Sequence, residues 1–248
     1  MIAEPNTIHK KPMKDEIFEI LHGRIIAGQY GAGEWLRQED ISSQLGVSMT
    51  PVREALELLV SAGLAERMPY RGVRVLQPSQ EEIADSYAMR LLLESTAVFA
   101  AATNISDGQL EKLSDLLEES KCLAGLKDMS RQRVLSRELH ILIVDSSGNA
   151  LLYKQYVTVL NTFPDWMLYE YMFRHPELID KSMENEFKEH GEIVTALKIH
   201  NPEIAVQRTI DHILKRGREL ETYLDIPKEI IRTKEAQVMP LLARFKSS

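Results

Sequence analysis

Three histidines, His140, His190 and His212, carry the most chemistry in this 248-residue chain. A neutral imidazole is either a metal ligand or a hydrogen-bonded core group, and its neighbours decide which. The three fall on separate predicted helices, with no His-Glu-x-x-His or similar local motif to join them, so spacing leaves both roles open. Arg90 is the next candidate. Ile83, Tyr87 and Leu91 mark one face of its helix, and Arg90 lies beside that face, close enough to point inward. A partly buried guanidinium needs an anion, either a carboxylate on a neighbouring helix or a bound one. A third group, Ser48, Thr50 and Arg53, gathers at the start of another helix. Polar and cationic side chains there reach base edges when the helix lies in a major groove, while hydroxyls and first-turn N–H groups suit phosphate. On an isolated helix Arg53 would be an ordinary solvated charge, so its reading depends on the elements around it.

Those elements follow from periodicity. A first helix over about 13–27 places Ile17, Ile20, Leu21 and Ile25 on one face, and the glycines from Gly28 to Gly33 break it. Lys10, Lys11 and Lys14 stand at its start. A short helix from Gln38 to Leu45 is stopped by Gly46. Ser48 or Thr50 can then cap a third helix, with Pro51 in its first turn, where the missing N–H costs nothing. Val52, Ala55, Leu56 and Leu59 form its buried stripe, Arg53 and Glu57 point away from it, and Gly63 ends it. The period then becomes two: Leu64–Met68 and Gly72–Leu76 flank Pro69-Tyr-Arg-Gly72, a hairpin with Val73 and Val75 inward and Arg74 outward. Three helices with a tight turn before the third, followed by a hairpin, is the order of a winged helix-turn-helix, with Arg71 and Gly72 at the wing tip.

Gln77-Pro78 marks a boundary, beyond which no strand pattern occurs. Ser79-x-x-Glu82 and Ser106-x-x-Gln109 are capping boxes that open helices of about 79–103 and 106–123. Further helices are predicted near 128–146, 150–162, 165–173, 177–199, 202–224 and 228–245. The fold class is therefore mainly α: a winged helix-turn-helix over 1–78, an all-α antiparallel bundle over 79–224, and a helical extension over 225–248. The extension carries Ile230, Ile231, Met239, Leu241, Leu242 and Phe245, which suit packing on a dimer interface or on the DNA-binding domain.

Composition narrows the function classes. Hydrophobic residues at 44% and charged residues at 27% describe an ordinary globular protein. No run approaches a membrane span, and the N-terminus has no basic segment followed by an apolar one. The lone Cys122 excludes an internal disulfide framework and a cysteine-rich zinc site, which fits a reducing, cytoplasmic setting. The net charge of −7 argues against nucleic acid only if it is left undivided: residues 1–78 hold 9 Lys and Arg against 10 Asp and Glu, and Arg67, Arg71 and Arg74 follow one another without an acidic residue between them. A metal-dependent hydrolase would need a carboxylate at general-base spacing from the histidines, and no motif supplies one. An enzyme is not expected.

Two stretches go beyond generic pattern. Leu45-Gly-Val-Ser-Met-Thr-Pro-Val-Arg-Glu-Ala-Leu56, then Gly63-Leu64 and Arg71-Gly72-Val73, resembles the GntR family of bacterial transcriptional regulators. Tyr87-Ala-Met-Arg90-Leu-Leu-Leu-Glu94, Leu139-His140, Ser147-Gly-Asn149, Glu189-His190 and His212 resemble its FadR-type subfamily, whose helical ligand-binding domain is called FCD. The resemblance spans roughly residues 13–224. It implies a homodimer that binds an inverted-repeat operator in double-stranded DNA and responds to a metabolite, often a small carboxylate, in some members through a divalent metal such as zinc or nickel; a regulator that senses the metal itself is the alternative. On the matching positions it implies DNA contacts from Ser48, Met49, Thr50, Arg53, Arg71 and Gly72. It likewise implies metal ligation by His140, His190 and His212, and effector contacts from Arg90, Ser136 and Asn149, although Asn149 after Gly148 also reads as a helix cap.

Two departures matter. Met49 stands where many members have arginine, which removes a possible bidentate contact to guanine and predicts a different operator preference at that base step. Ser136 stands where metal-binding members have an acidic ligand, one turn before His140. Either three neutral imidazoles keep a metal with an open coordination position for an effector carboxylate, or the histidines hydrogen-bond the effector directly.

Overall fold

The structure, a computed structural model, describes residues 12–246; Lys10 and Lys11 lie outside them. The first 64 described residues follow the predicted order: α1 (Met13–Ile26), α2 (Gln38–Leu45), α3 (Met49–Ser61), then β1 (Ala65–Met68) and β2 (Gly72–Val75). The strands pair antiparallel in the register Ala65–Val75 to Met68–Gly72. Gly46, in the left-handed region at φ +66°, ends α2 and leaves only Val47 before the Ser48 cap of α3. That tight turn sets α3 across α2, the arrangement a helix-turn-helix requires.

One strand-like segment had no sequence signal. Trp35 bridges Arg74, Leu36 N–H donates to the Val73 carbonyl, and Val75 N–H donates to the Glu34 carbonyl, so residues 34–36 add a third edge to the hairpin. Three residues are too few for a period of two to register.

Beyond Pro78 the chain is helical throughout the described residues: α4 (Gln80–Asn104), α5 (Asp107–Lys121), α6 (Met129–Asp145), α7 (Ala150–Thr162), α8 (Asp165–Arg174), α9 (Ile179–Lys198), α10 (Pro202–Tyr223) and α11 (Lys228–Leu242). Both capping boxes form: the Ser79 and Ser106 hydroxyls accept from Glu82 N–H and Gln109 N–H, and those side chains return to the cap N–H groups. The long α4 is the axis of the bundle, packed by α6, α7, α10 and α11. None of the described helices is long and apolar enough to cross a membrane.

Within its own chain the extension packs on the helical bundle rather than on the DNA-binding domain. Ile231, Val238 and Leu242 of α11 join the core of the helical bundle, Tyr87 OH donates to Glu235 at 2.7 Å, and Lys234 pairs with Asp85. Its partners are thus α4 and α10 of its own chain.

The chain boundary at Gln77-Pro78 is not a boundary in the core. Ile17, Leu21, Ile25, Leu56 and Leu59 of the winged part share one apolar cluster with Met129, Trp166, Tyr169, Met172 and Ile179 of the bundle. Trp166 and Leu21 are fully buried there. The winged module is therefore seated on α6 and α8, which also line a buried cavity in the bundle.

Candidate nucleic-acid interface and metal centre

The nucleic-acid candidates lie together at the surface. Ser48 holds the N-cap position of α3, yet neither its hydroxyl nor that of Thr50 closes a cap hydrogen bond. Both side chains are exposed, and the first-turn N–H groups face outward with them. Arg53 is exposed one turn later and donates to Gln38 Oε1 at 3.4 Å, so α2 holds the guanidinium without sequestering it. Between the start of α3 and the wing runs an open cleft of about 520 Å³, lined by Trp35, Arg37, Gln38, Met49, Arg71 and Gly72. Arg67 and Arg74 are already matched with Glu57 and Glu66, which leaves Arg71 as the wing cation with no carboxylate partner among the described residues. Gly72, at φ +108°, makes the turn possible.

Two contributors to this surface escaped the sequence. Arg37, just before α2, lines the cleft. Tyr70 projects from the wing tip fully exposed, at φ +61°, a conformation that costs an aromatic residue free energy.

The buried site is built from α4, α6, α9 and α10. His140, His190 and His212 are each 2% exposed or less, and one ring nitrogen of each lies within 4.8 Å of the others. Burial and the neighbouring histidines keep His190 unprotonated, at about 3, and push His212 far below the ordinary range. His190 and His212 therefore carry free lone pairs at neutral pH, which metal coordination requires.

Carboxylates stand behind two of them. Glu189 Oε2 accepts from His212 Nδ1 at 2.8 Å, which fixes the tautomer and leaves Nε2 free. Glu94 Oε1 lies against His140 Nδ1 as a close charge contact, without the geometry of a hydrogen bond. Glu94 is held further by Arg90 Nε at 3.0 Å and Tyr156 OH at 2.9 Å; burial opposes its charge, but His140 and Arg90 keep it well below the usual carboxylate range. A carboxylate behind the outer nitrogen is what orients a metal-binding histidine. Meanwhile Nε2 of His140 and of His190 are buried without any hydrogen-bond partner. Buried polar atoms are seldom left so, and convergent imidazole nitrogens of this kind have the donor chemistry of a cation site. The residues present fit a divalent metal.

A small enclosed cavity of about 20 Å³ adjoins the histidines, lined among others by Arg90, Ser136, His140, Asp165, Glu186 and His212. That volume admits one water or one ion. Any larger anion has to displace side chains to enter.

Arg90 faces this cavity, 5% exposed, ion-paired to Glu94 one turn along and lying over the Phe163 ring at 5.4 Å. Ser136 is also on the cavity wall, donating to Glu186 Oε1 at 2.7 Å. Asn149 is elsewhere. Its side chain is exposed and accepts from Leu151 and Leu152 N–H as the cap of α7, and it is not among the cavity-lining residues, so it does not join the effector group expected of it. Sequence reading named Glu94 and Glu189 only as parts of motifs, with no role, and missed Glu186. Each sits within four residues of a candidate already named, so helical spacing carried the signal, but acidic residues at such spacing are ordinary on any solvated helix.

Comparison with known proteins bears on both sites. Residues 13–75 match the model of the bacterial regulatory proteins of the gntR family, and residues 82–215 match that of the FCD domain. The uncharacterized HTH-type transcriptional regulator YdhC of Bacillus subtilis (strain 168) is 26% identical over 216 residues, covering 86% of this chain and 93% of that protein. The gluconate operon transcriptional repressor of the same organism is 34% identical over 147 residues, 58% of this chain and 60% of that protein. Among solved structures, E. coli McbR/YncC superposes with a TM-score of 0.63 at 20% identity, covering 86% of this chain and all of that one, which bears on the fold.

Proposed function

The chain belongs to the GntR family of bacterial transcriptional regulators and carries its FCD domain, and on that footing we propose that a homodimer of it binds an inverted-repeat operator and that a small anionic metabolite, held at the buried histidines, sets how tightly it binds. DNA binding is the family's activity; the residues, the effector and the metal belong to the proposal. In that reading residues 1–78 are the DNA module and 79–224 the sensing and dimerising module.

The observation that carries it is the joint presentation, on one surface, of Ser48, Thr50 and Arg53 at the start of α3 and of Arg71 at the wing tip. The α3 end suits major-groove edges and phosphate, and the wing cation suits the neighbouring minor groove. One half-site offers too few contacts for selection within a genome, so two copies at fixed spacing supply the rest.

His140, His190 and His212 would hold the metal, with Glu94 and Glu189 orienting two of them. When bound, a divalent ion supplies a positive centre and an open coordination position for a carboxylate. The gluconate operon assigned to one relative makes sugar acids the first effectors to test. Arg90 stands on the cavity wall to receive a second anionic oxygen.

The route to the DNA module is short. Asp165 lines the cavity and accepts from Arg133 Nη2 at 2.6 Å and Nε at 3.0 Å. Arg133 in turn holds the end of the reading helix. Effector binding that moves Asp165 thus shifts the population of reading-helix positions. Binding, with no bond made or broken, is the whole activity in this account.

The test is electrophoretic retardation of promoter fragments at low ionic strength, first with the metal-free protein, then with zinc or nickel alone, then with carboxylic acids added. Retention of one fragment, lost in Arg53→Ala and modulated by an acid only when metal is present, supports the reading. Retention of none overturns it. Modulation by metal alone makes the ion the signal.

A further inference from the structure

Two carboxylates beside the histidine cluster have outward duties. Glu189 spends Oε2 on His212 Nδ1 and Oε1 on Lys215 Nζ at 2.8 Å. Glu94 spends Oε1 on His140 Nδ1 and Oε2 on Arg90 and Tyr156. Both lie behind the imidazoles, on the side away from the convergent nitrogens.

Glu186 differs. It sits on α9 one turn before His190, 4% exposed, and lines the same cavity as His140 and His212. Its Oε1 is 4.0 Å from the unpartnered Nε2 of His190. Its hydrogen-bond donors are hydroxyls: Ser136 Oγ at 2.7 Å and Tyr169 OH at 3.2 Å to each oxygen. Among the described residues no hydrogen bond from a guanidinium or ammonium reaches it. A buried carboxylate held by two hydroxyls and aimed at bare imidazole nitrogens is arranged as an outer-sphere-supported ligand, with lone pairs left over for a cation.

We propose that Glu186 is the fourth protein ligand of the histidine site, supplied from α9, and that Ser136 orients it from the position on α6 where an acidic ligand was expected. The inference rests on the reading of the histidines as a metal site. It makes the donor set three imidazole nitrogens and one carboxylate oxygen, which reduces the net charge of a bound dication to +1 and suits zinc, nickel or manganese. It also explains how the chain can carry serine at 136 without forfeiting the site: carboxylate and hydroxyl have exchanged helices across a 2.7 Å hydrogen bond.

The experiment uses full-length, untagged, chelator-stripped protein titrated with zinc or nickel alone against a fluorescent chelator. Wild type is expected to bind one ion, and His190→Ala none. Glu186→Gln is expected to lose at least about 100-fold in affinity, Ser136→Ala about 10-fold, and the double variant Glu186→Gln/Ser136→Asp to recover most of the loss. Circular dichroism and metal-free retardation of DNA should match wild type in each. Wild-type affinity in Glu186→Gln, with binding abolished in His190→Ala, overturns the proposal and leaves the histidine site standing. No binding in wild type sinks both. Should Glu186→Gln fail to fold, the visible bands of bound cobalt decide the matter: Glu186→Asp and Ser136→Ala shift them if Glu186 is a ligand, and an unchanged spectrum in both rejects it.

Discussion

Arg133, buried on α6, donates from Nη2 to the backbone carbonyl of Ala62 at 3.2 Å and so closes the C-terminal end of the reading helix with a side chain from the helical bundle. The same guanidinium holds Asp165 and donates from Nη1 to His22 Nε2 at 3.1 Å on α1. Next to Ala62, Gly63 at φ +70° lies where a Cβ would stand 2.7 Å from the Asn161 carbonyl oxygen, so the turn after α3 rests directly on the end of α7. Reading helix, first helix and cavity wall therefore share one buried cation.

Removing that cation should be costly and non-additive. Arg133→Met leaves Asp165 and the Ala62 carbonyl without their donor, and breaking a buried pair from one side costs about 3–5 kcal/mol. Asp165 is 16% exposed, which places the expected loss at the lower end. Urea denaturation of Arg133→Met, Asp165→Asn and the double variant should give a coupling energy of about 1 kcal/mol or more. Simple additivity would mean that Arg133 and Asp165 stabilise the fold independently of their ion pair.

On the DNA side, Arg53→Ala should weaken operator binding by about 10- to 100-fold, the 1–3 kcal/mol of a good base or phosphate contact. Tyr70→Ala should weaken it less and with little change in salt dependence, because the ring carries no charge to release counterions. Selection of sites from random DNA with wild type and Met49→Arg should return logos that differ at one base step in each half-site. Identical logos would show that Met49, exposed beside the cleft, reads nothing.

Much of this was legible beforehand because it is local. Apolar spacing, the Ser79 and Ser106 capping boxes and the stop glycines placed every α-helix of the described chain to within a turn, and period two placed the hairpin. What stayed hidden is long-range. Arg133 and Ala62 are 71 residues apart, and nothing about an arginine on a helix announces a distant carbonyl. Trp166 and Met172 read as ordinary bundle residues, yet they complete the core of the winged module. Convergence of the three histidines came from family resemblance, since three helices can place them together or apart with equal periodicity. Glu186 was lost in the charged run from Glu184 to His190, where a solvated face is the default reading.

Asn149 supplies a sharp check on role. As the cap of α7 its replacement by alanine should cost about 1 kcal/mol in urea denaturation. Metal affinity and response to any carboxylic acid should stay at wild-type levels. Loss of ligand response with stability unchanged would return Asn149 to the effector site.

His22 gives the joint a pH signature. Arg133 can only donate, so His22 Nε2 must accept and the ring proton sits on Nδ1, shared with Ser130 Oγ at 2.8 Å. Burial first, and then the adjacent Arg133 charge, lowers His22 from 6.5 to about 3. Between those values the unfolded chain binds a proton that the native state refuses, so this group's contribution to stability falls as the pH drops below about 6.5. Its slope is about 1.4 kcal/mol per pH unit. Glutamine at this position keeps a donor and an acceptor but cannot titrate. The difference in unfolding free energy between wild type and His22→Gln, measured in urea from pH 7.5 to 4.5, should therefore be flat above 6.5 and then turn steadily against wild type. A difference that stays flat to pH 4.5 would show that His22 accepts its proton in place, with Arg133 moving aside and the hold on Ala62 released.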